Sequence, residues 1–377
     1  MKIKTLLIVG LLFSVANIFA QIPTGYYDGT AGLSGAALKT KLSQIITSGH
    51  RDMGYGSGTG GLWTAYFTTD VDNYYEKDGT VLDMYSENPA QNTPGIINDA
   101  YQYKLGQASE GGNQCGNGKN YENSCYNREH SLPKSYFGGI NATPMANDAH
   151  FVIPTDYYVN NQRGNYLYGE TNSTSKVFTN GSKIGNSSFP GYSGNVFEPI
   201  NEFKGDLARM WLYFITRYEN QLPNFYNLNV SGSPFDGSTH NGFQQWIINL
   251  LLKWHQNDPV SQREIDRNNA VYTFQGNRNP FIDHPEFVTL IWKSTLATSD
   301  IEKFSLNLYP NPVQNKEVFF KGNIQGVENV KVYDMNGKLV YEAVKPFAKT
   351  NKLNLKNLPK GNYIITYNNQ SQKLIIE

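Results

Sequence analysis

The stretches YNREHSLP (residues 126–133) and DAHFVIPTDYYVNNQRGN (148–165) decide how the larger part of this chain folds. The first reads as a strand that stops at Pro133. AHFVIP reads as a second short strand, and TDYYVNNQ opens a helix with Thr155 as its cap. The expected local unit is therefore strand, strand, helix, with polar residues at one end of each element. Neighbours on a strand face opposite ways, so Glu129 and His130 are expected to diverge.

That divergence suits one kind of chemistry. Hydrolysis of a phosphodiester needs an activated water and positive charge beside the crowded phosphorus. A histidine, with an ordinary pKa near 6.5, can be neutral and take a proton from water. A hard cation needs oxygen ligands and often uses only one or two protein groups. Glu129 from the strand and Asn160 from the helix supply such oxygens. Arg163, one turn beyond Asn160, is placed to grip a phosphate. Each piece alone has a plainer reading: His130 and His150 as structural histidines, Asn160 as a cap or turn residue. The ordered conjunction gives the set its meaning.

Outward from this unit, 377 residues suggest two domains. Residues 1–20 form a targeting segment: Lys2 and Lys4, an apolar run over 6–13, then Ala16 and Ala20 before a cleavage point at Gln21. The run is too short to span a bilayer, and no later stretch is apolar enough to do so. The mature chain is expected outside the cytoplasm. There Cys115 and Cys125, the two cysteines, are expected to close the polar loop CGNGKNYENSC as a disulfide.

The net charge of zero hides an asymmetry. Residues 21–303 hold 20 Lys and Arg against 27 Asp and Glu, and residues 304–377 hold 10 Lys against 5 acids. The larger part is acidic, so no global field draws in a polyanion. A local basic cluster or a bound cation must hold one.

Apolar residues at helical spacing mark three helices. One carries Leu33, Ala37, Leu38, Leu42 and Ile45; the second Leu207, Met210, Trp211, Phe214 and Ile215; the third Phe243, Trp246, Ile247, Leu250 and Trp254. DPVSQREIDRNNAVYTF reads as a fourth, with Asp258 as cap and Pro259 at its first position. STLATSDIEK (residues 294–303) reads as a linker. Beyond it, VKVYDMNGKLVYEAV is a hairpin around Asn336-Gly337, and further short strands make a small all-β sandwich. The expected class is mixed α+β followed by that sandwich. Its bounds are a signal peptide at 1–20, a catalytic domain at 21–295, a linker at 296–303 and the β domain at 304–377.

Two resemblances sharpen this reading. SLNLYPNPVQN, VKVYDMNGKLV, LNLKNLPKGNYIITY and KLIIE resemble the C-terminal sorting domain of type IX secretion, which implies passage through that machinery. YNREHSLPKS, DAHFVIPTDYYVNNQRGN, FEPINEFKGDLARMWLYFITRYE and DPVSQREIDRNNAVYTFQGNRNPFIDHPE resemble the endonuclease I family. That resemblance implies a ββα-metal site and a secreted endonuclease cutting DNA, and in several members RNA, without sequence preference, to 5′-phosphates. It makes His130 the general base and Glu129 and Asn160 ligands of Mg²⁺, with Ca²⁺ or Mn²⁺ as alternatives. Arg163 joins His130 as a catalytic candidate, and Arg128, Arg209 and Arg278 are substrate-binding candidates. Where many relatives read Val-Asn-Gly-Asp-Arg, this chain reads Val159-Asn160-Asn161-Gln162-Arg163, without the acid. A monomer with nucleic acid as its partner is expected. The alternatives are a metal-dependent phosphodiesterase on small or lipid phosphates and a non-catalytic adhesive module.

Overall fold

A computed structural model describes residues 22–57, 59–89, 102–292, 307–321, 327, 329–335, 337–347, 350–367 and 370–377. The proposed signal segment, the linker at 296–303 and Asn336 lie outside the described residues. The chain divides into two compact units, Met1–Lys293 and Ser294–Glu377.

The first unit is built around a buried helix. Of the eight α-helices among the described residues, α1 (Gly35–Thr47) and α2 (Leu62–Thr69) come first, and α3 (Tyr157–Arg163) follows two short strands. Then come α4 (Lys204–Arg217), α5 (Leu222–Asn227), α6 (Gln245–Asn257), α7 (Gln262–Gln275) and α8 (Pro280–Asp283). In α4, every residue from Lys204 to Thr216 is buried, as expected of a helix apolar on most sides. It packs against α1 and α6. Replacing one of its large residues, such as Trp211, by Ala would cost about 3–5 kcal/mol. The stripe of α6 runs through Trp246, Ile247, Leu250, Leu251 and Trp254, close to expectation. On α1 the buried face is Leu38, Leu42 and Ile46. Ala37 is exposed and Ile45 half-buried, so the stripe lies about one residue from its expected phase.

Helix starts also differ by a few residues. Asp156, not Thr155, caps α3 by accepting from the Val159 amide at 2.7 Å. Ser261 caps α7 in a reciprocal box with Glu264, where Asp258 and Pro259 were expected. Asp258 ends α6 instead, and its carboxylate accepts from the Gly205 amide at 2.7 Å.

The strand β1 (Tyr126–His130) pairs antiparallel with β2 (Val152–Asp156), with Glu129 opposite Ile153 and His130 opposite Val152. The α3 helix follows directly and packs on both. The next four strands are β3 (Leu167–Tyr168), β4 (Thr171–Val177), β5 (Lys183–Ser187) and β6 (Asn195–Glu198). They form a second sheet in the order β3-β6-β5-β4.

Among its described residues the second unit is all β. Its seven strands, β7 (Asn307–Gln314), β8 (Glu317–Lys321), β9 (Asn329–Asp334), β10 (Leu339–Val344), β11 (Lys352–Asn354), β12 (Gly361–Tyr367) and β13 (Gln370–Ile376), run in the order β10-β9-β12-β13-β7-β8-β11. Val318, Phe320, Val330, Val332, Leu353, Ile365 and Leu374 from both halves share one core. The hairpin at β9-β10 turns through Gly337 at φ 81°, a value that favours glycine.

Candidate active site

The two faces of β1 carry different chemistry. Tyr126, Arg128 and His130 face one way; Asn127 and Glu129 face α3. The α3 helix reads this face in order. Asn160 Nδ2 donates to Asn127 Oδ1 at 2.9 Å and to the Arg128 carbonyl at 3.3 Å. One turn on, Arg163 donates to Glu129 Oε1 at 2.7 Å, to the His130 carbonyl at 3.1 Å and to the Ser131 carbonyl at 2.6 Å. Asn161 points to solvent. Gln162, where many relatives carry an acid, accepts from Lys176 at 2.7 Å and takes no part in this contact.

Glu129 is buried, at 4% exposure. Its Oε1 accepts from both Arg163 and the Tyr85 hydroxyl, the latter at 3.0 Å. Burial raises its pKa, and Arg163 draws it back towards the ionised form. Among the described residues Oε2 takes no hydrogen bond. Nor does Asn160 Oδ1, since the amide's donor end holds β1. The pair therefore offers two hard oxygens, one of them charged, which is a donor set suited to Mg²⁺ or Mn²⁺.

His130 is also buried at 4% exposure. Its Nε2 lies 3.1 Å from the Ala146 carbonyl. A carbonyl only accepts, so Nε2 carries the proton and Nδ1 keeps its lone pair. Burial first, then the charge of Lys134, pushes its pKa down to about 3. The ring is neutral at physiological pH. Tyr55 stacks beside it, with centroids 5.8 Å apart and planes 15° from parallel.

Three arginines occupy places other than those expected of phosphate contacts. Arg163 is wholly buried behind Glu129, so it orients the carboxylate. Arg209 is wholly buried in a two-pronged pair with Glu264, at 2.5 and 2.7 Å. Arg278, 1% exposed, holds Asp283 at 2.6 and 2.8 Å and Asn269 at 2.7 Å. Their guanidinium groups tie elements together and do not reach solvent. Arg128 differs. It is half-buried on the His130 face, with its guanidinium 3.3 Å from the Tyr55 ring centroid and 4.2 Å from that of Trp63. Its Nη1 donates to the carbonyls of Tyr55 and Gly56.

Sequence reasoning missed Lys134, an exposed cation whose charge acts on both His130 and Glu129. Its position within YNREHSLPK was the available signal. Tyr55 and Tyr85 were missed as well, and nothing in their local sequence marks them. His150, 2% exposed, bonds the Asn277 carbonyl at 3.0 Å within the network around Asp148, which is structural duty. Elsewhere Asp72, Glu76 and Glu87 place carboxylate oxygens within 4.8 Å of one another. Asp72 there receives the amides of Tyr74, Tyr75 and Lys77. Cys115 and Cys125 form the expected disulfide.

Comparison with known proteins bears on this geometry. The family model described as Endonuclease I matches residues 34–286. The one described as secretion system C-terminal sorting domain matches residues 307–377. An extracellular ribonuclease of Bacillus amyloliquefaciens is 33% identical over 268 residues, covering 71% of this chain and 78% of that protein. An extracellular ribonuclease of Bacillus subtilis (strain 168) is 32% identical over 269 residues, with the same shares. No helix among the described residues is long and apolar enough to cross a membrane.

Proposed function

The chain belongs to the endonuclease I family and is a nuclease exported by type IX secretion; on that footing we propose that it hydrolyses the backbone of DNA and RNA with a divalent cation, using His130 as general base. DNA follows from the family, and RNA from the ribonucleases it is similar to. The observation that carries the reading is the fixed tautomer of His130, whose proton is committed to the Ala146 carbonyl.

The residues divide the work as follows. Nδ1 of His130 removes a proton from the attacking water as oxygen approaches phosphorus. The approaching phosphodiester anion stabilises the imidazolium that forms, so the ring gains proton affinity when substrate is present. The bond to the 3′-oxygen breaks and that oxygen takes a proton from solvent, giving a 5′-phosphate and a 3′-hydroxyl, while His130 returns its proton to solvent. Glu129 and Asn160 would hold the cation, Mg²⁺ or a substitute. When bound, that ion supplies charge to balance the pentavalent phosphorus and the leaving oxygen. Tyr85 and Arg163 fix Glu129 and leave its second oxygen outward. Lys134, from the exposed turn after β1, meets a phosphate. Contacts to phosphate carry no sequence information, which accounts for cleavage at many sequences.

The test is digestion of plasmid and of RNA by the secreted protein, with EDTA and then Mg²⁺ added back. Cutting of both, lost and restored, is expected. Cutting that persists in EDTA would remove the cation from the account.

A further inference from the structure

Residues 157–169 and 171–197 include no acidic residue, although residues 21–303 carry more acids than bases. They contain α3 and the β4-β5 hairpin. Glu170, between the two segments, is taken up by Lys253 at 2.8 Å and the Trp254 indole at 3.0 Å. Glu122 meets the hairpin at its turn, where it accepts from the Thr179 amide at 3.1 Å. Of the cations in these segments, Arg163 is spent on Glu129 and Lys183 on Glu198, at 3.2 Å. Lys176, on β4, pairs with no carboxylate among the described residues. Its ammonium donates to the Tyr158 hydroxyl at 2.6 Å and to Gln162 Oε1 at 2.7 Å, and lies 4.4 Å from the Tyr158 ring centroid. Both partners are neutral, so the charge is not cancelled. An ammonium has three donors, and these partners take two of them. Lys176 is half-buried, but residues 172–175 and 177 around it on β4 are exposed, as is Asn161 on α3.

Resting on the nuclease reading above, we propose that Lys176 grips the nucleic-acid backbone at a phosphate beyond the scissile one, where the substrate strand crosses α3. Tyr158 and Gln162 lie one turn apart on a single face of that helix. Asn160, between them in sequence, is turned about 200° away, towards β1. The cation site and Lys176 therefore flank a helix about 10 Å across. That is too far for both to meet one phosphate, and it suits two phosphates of the same strand. A strand taking this path passes no acid of α3 or of the hairpin. Gln162 gives the contact its charge. An acid at this position, as in the many relatives reading Val-Asn-Gly-Asp-Arg, would form an ion pair with the lysine and cancel it. Gln162 holds the same ammonium and leaves it positive. An acidic body needs such a local cation to hold a polyanion. The contact adds affinity and salt dependence without sequence preference.

Cleavage of a single-stranded DNA oligonucleotide by the secreted protein, at fixed Mg²⁺ and a series of NaCl concentrations, tests this. Lys176→Gln keeps a donor for Tyr158 and Gln162 but no charge. It should raise KM at least about threefold at low salt, change kcat by less than about twofold, and flatten the plot of log kcat/KM against log salt by about 0.7. Lys176→Arg should keep the KM and slope of the unmodified protein. Gln162→Glu leaves the lysine in place and gives it an acid. It should raise KM by a similar factor without lowering the melting temperature. Unchanged KM and salt slope in both Lys176→Gln and Gln162→Glu would overturn the contact alone. So would a rise in KM that Lys176→Arg shares in full. Failure of the unmodified protein to cut the oligonucleotide would overturn the nuclease reading with it.

Discussion

Arg163 lies 2.7 Å from Glu129 and is the more deeply buried of the two, with no exposed side-chain surface. An arginine so enclosed cannot meet a phosphate. It holds the carboxylate against β1 while donating to the carbonyls of His130 and Ser131, so its loss should be felt first in stability. Arg163→Met is expected to cost about 3–5 kcal/mol in chemical denaturation, as for a buried pair deprived of one partner. Unchanged stability with a raised KM would return Arg163 to the phosphate.

Lys134 is the cation with solvent in front of it. Lys134→Ala should weaken substrate binding and flatten the plot of log affinity against log salt by about one unit. Arg209→Ala and Arg278→Ala should leave that slope unchanged while lowering the melting temperature, because each arginine is closed off with its acid. Gel-shift titrations with EDTA present, at several salt concentrations, separate the two behaviours.

The depressed pKa of His130 has a kinetic sign. Held down to about 3 in the free protein, the imidazole is in its base form at every pH above that value. The value of kcat/KM should then show no acid limb near pH 6.5. Bound phosphate raises the ring's proton affinity, so any acid limb in kcat should lie at higher pH than that in kcat/KM. A tenfold fall in kcat/KM per pH unit below 6.5 would mean a solvated histidine.

Cation binding can be followed without turnover. Asn160→Ala and Glu129→Gln should each weaken Mn²⁺ binding by at least about tenfold in calorimetry. Loss of cleavage with cation affinity intact would show that the ion lies elsewhere. The buried group of Asp72, Glu76 and Glu87 is the natural place to look.

The strand, strand, helix unit was legible because each piece is local: alternation over five residues, a proline stop and a capping acid. Even there the cap fell one residue from Thr155, since Asp156 and Thr155 both have side chains able to cap. The burial of Arg163, Arg209 and Arg278 was not legible for a different reason. Arg209 pairs with Glu264, 55 positions away, and Arg163 with Glu129, 34 away. Sequence shows a charge but not whether folding will bury it. Tyr55 and Tyr85 reach the site from segments far upstream of β1, beyond the reach of any motif. The fixed tautomer of His130 depends on one carbonyl, at Ala146, that belongs to every residue type.

Removal of the His130 ring tests the central claim most directly. His130→Ala, shown to be folded by circular dichroism, should lose about 10²–10⁴-fold in plasmid cleavage. Imidazole added to the buffer should restore part of it by entering the space the ring leaves. A folded His130→Ala protein that cleaves within about threefold of the unmodified one would contradict the assignment of the base.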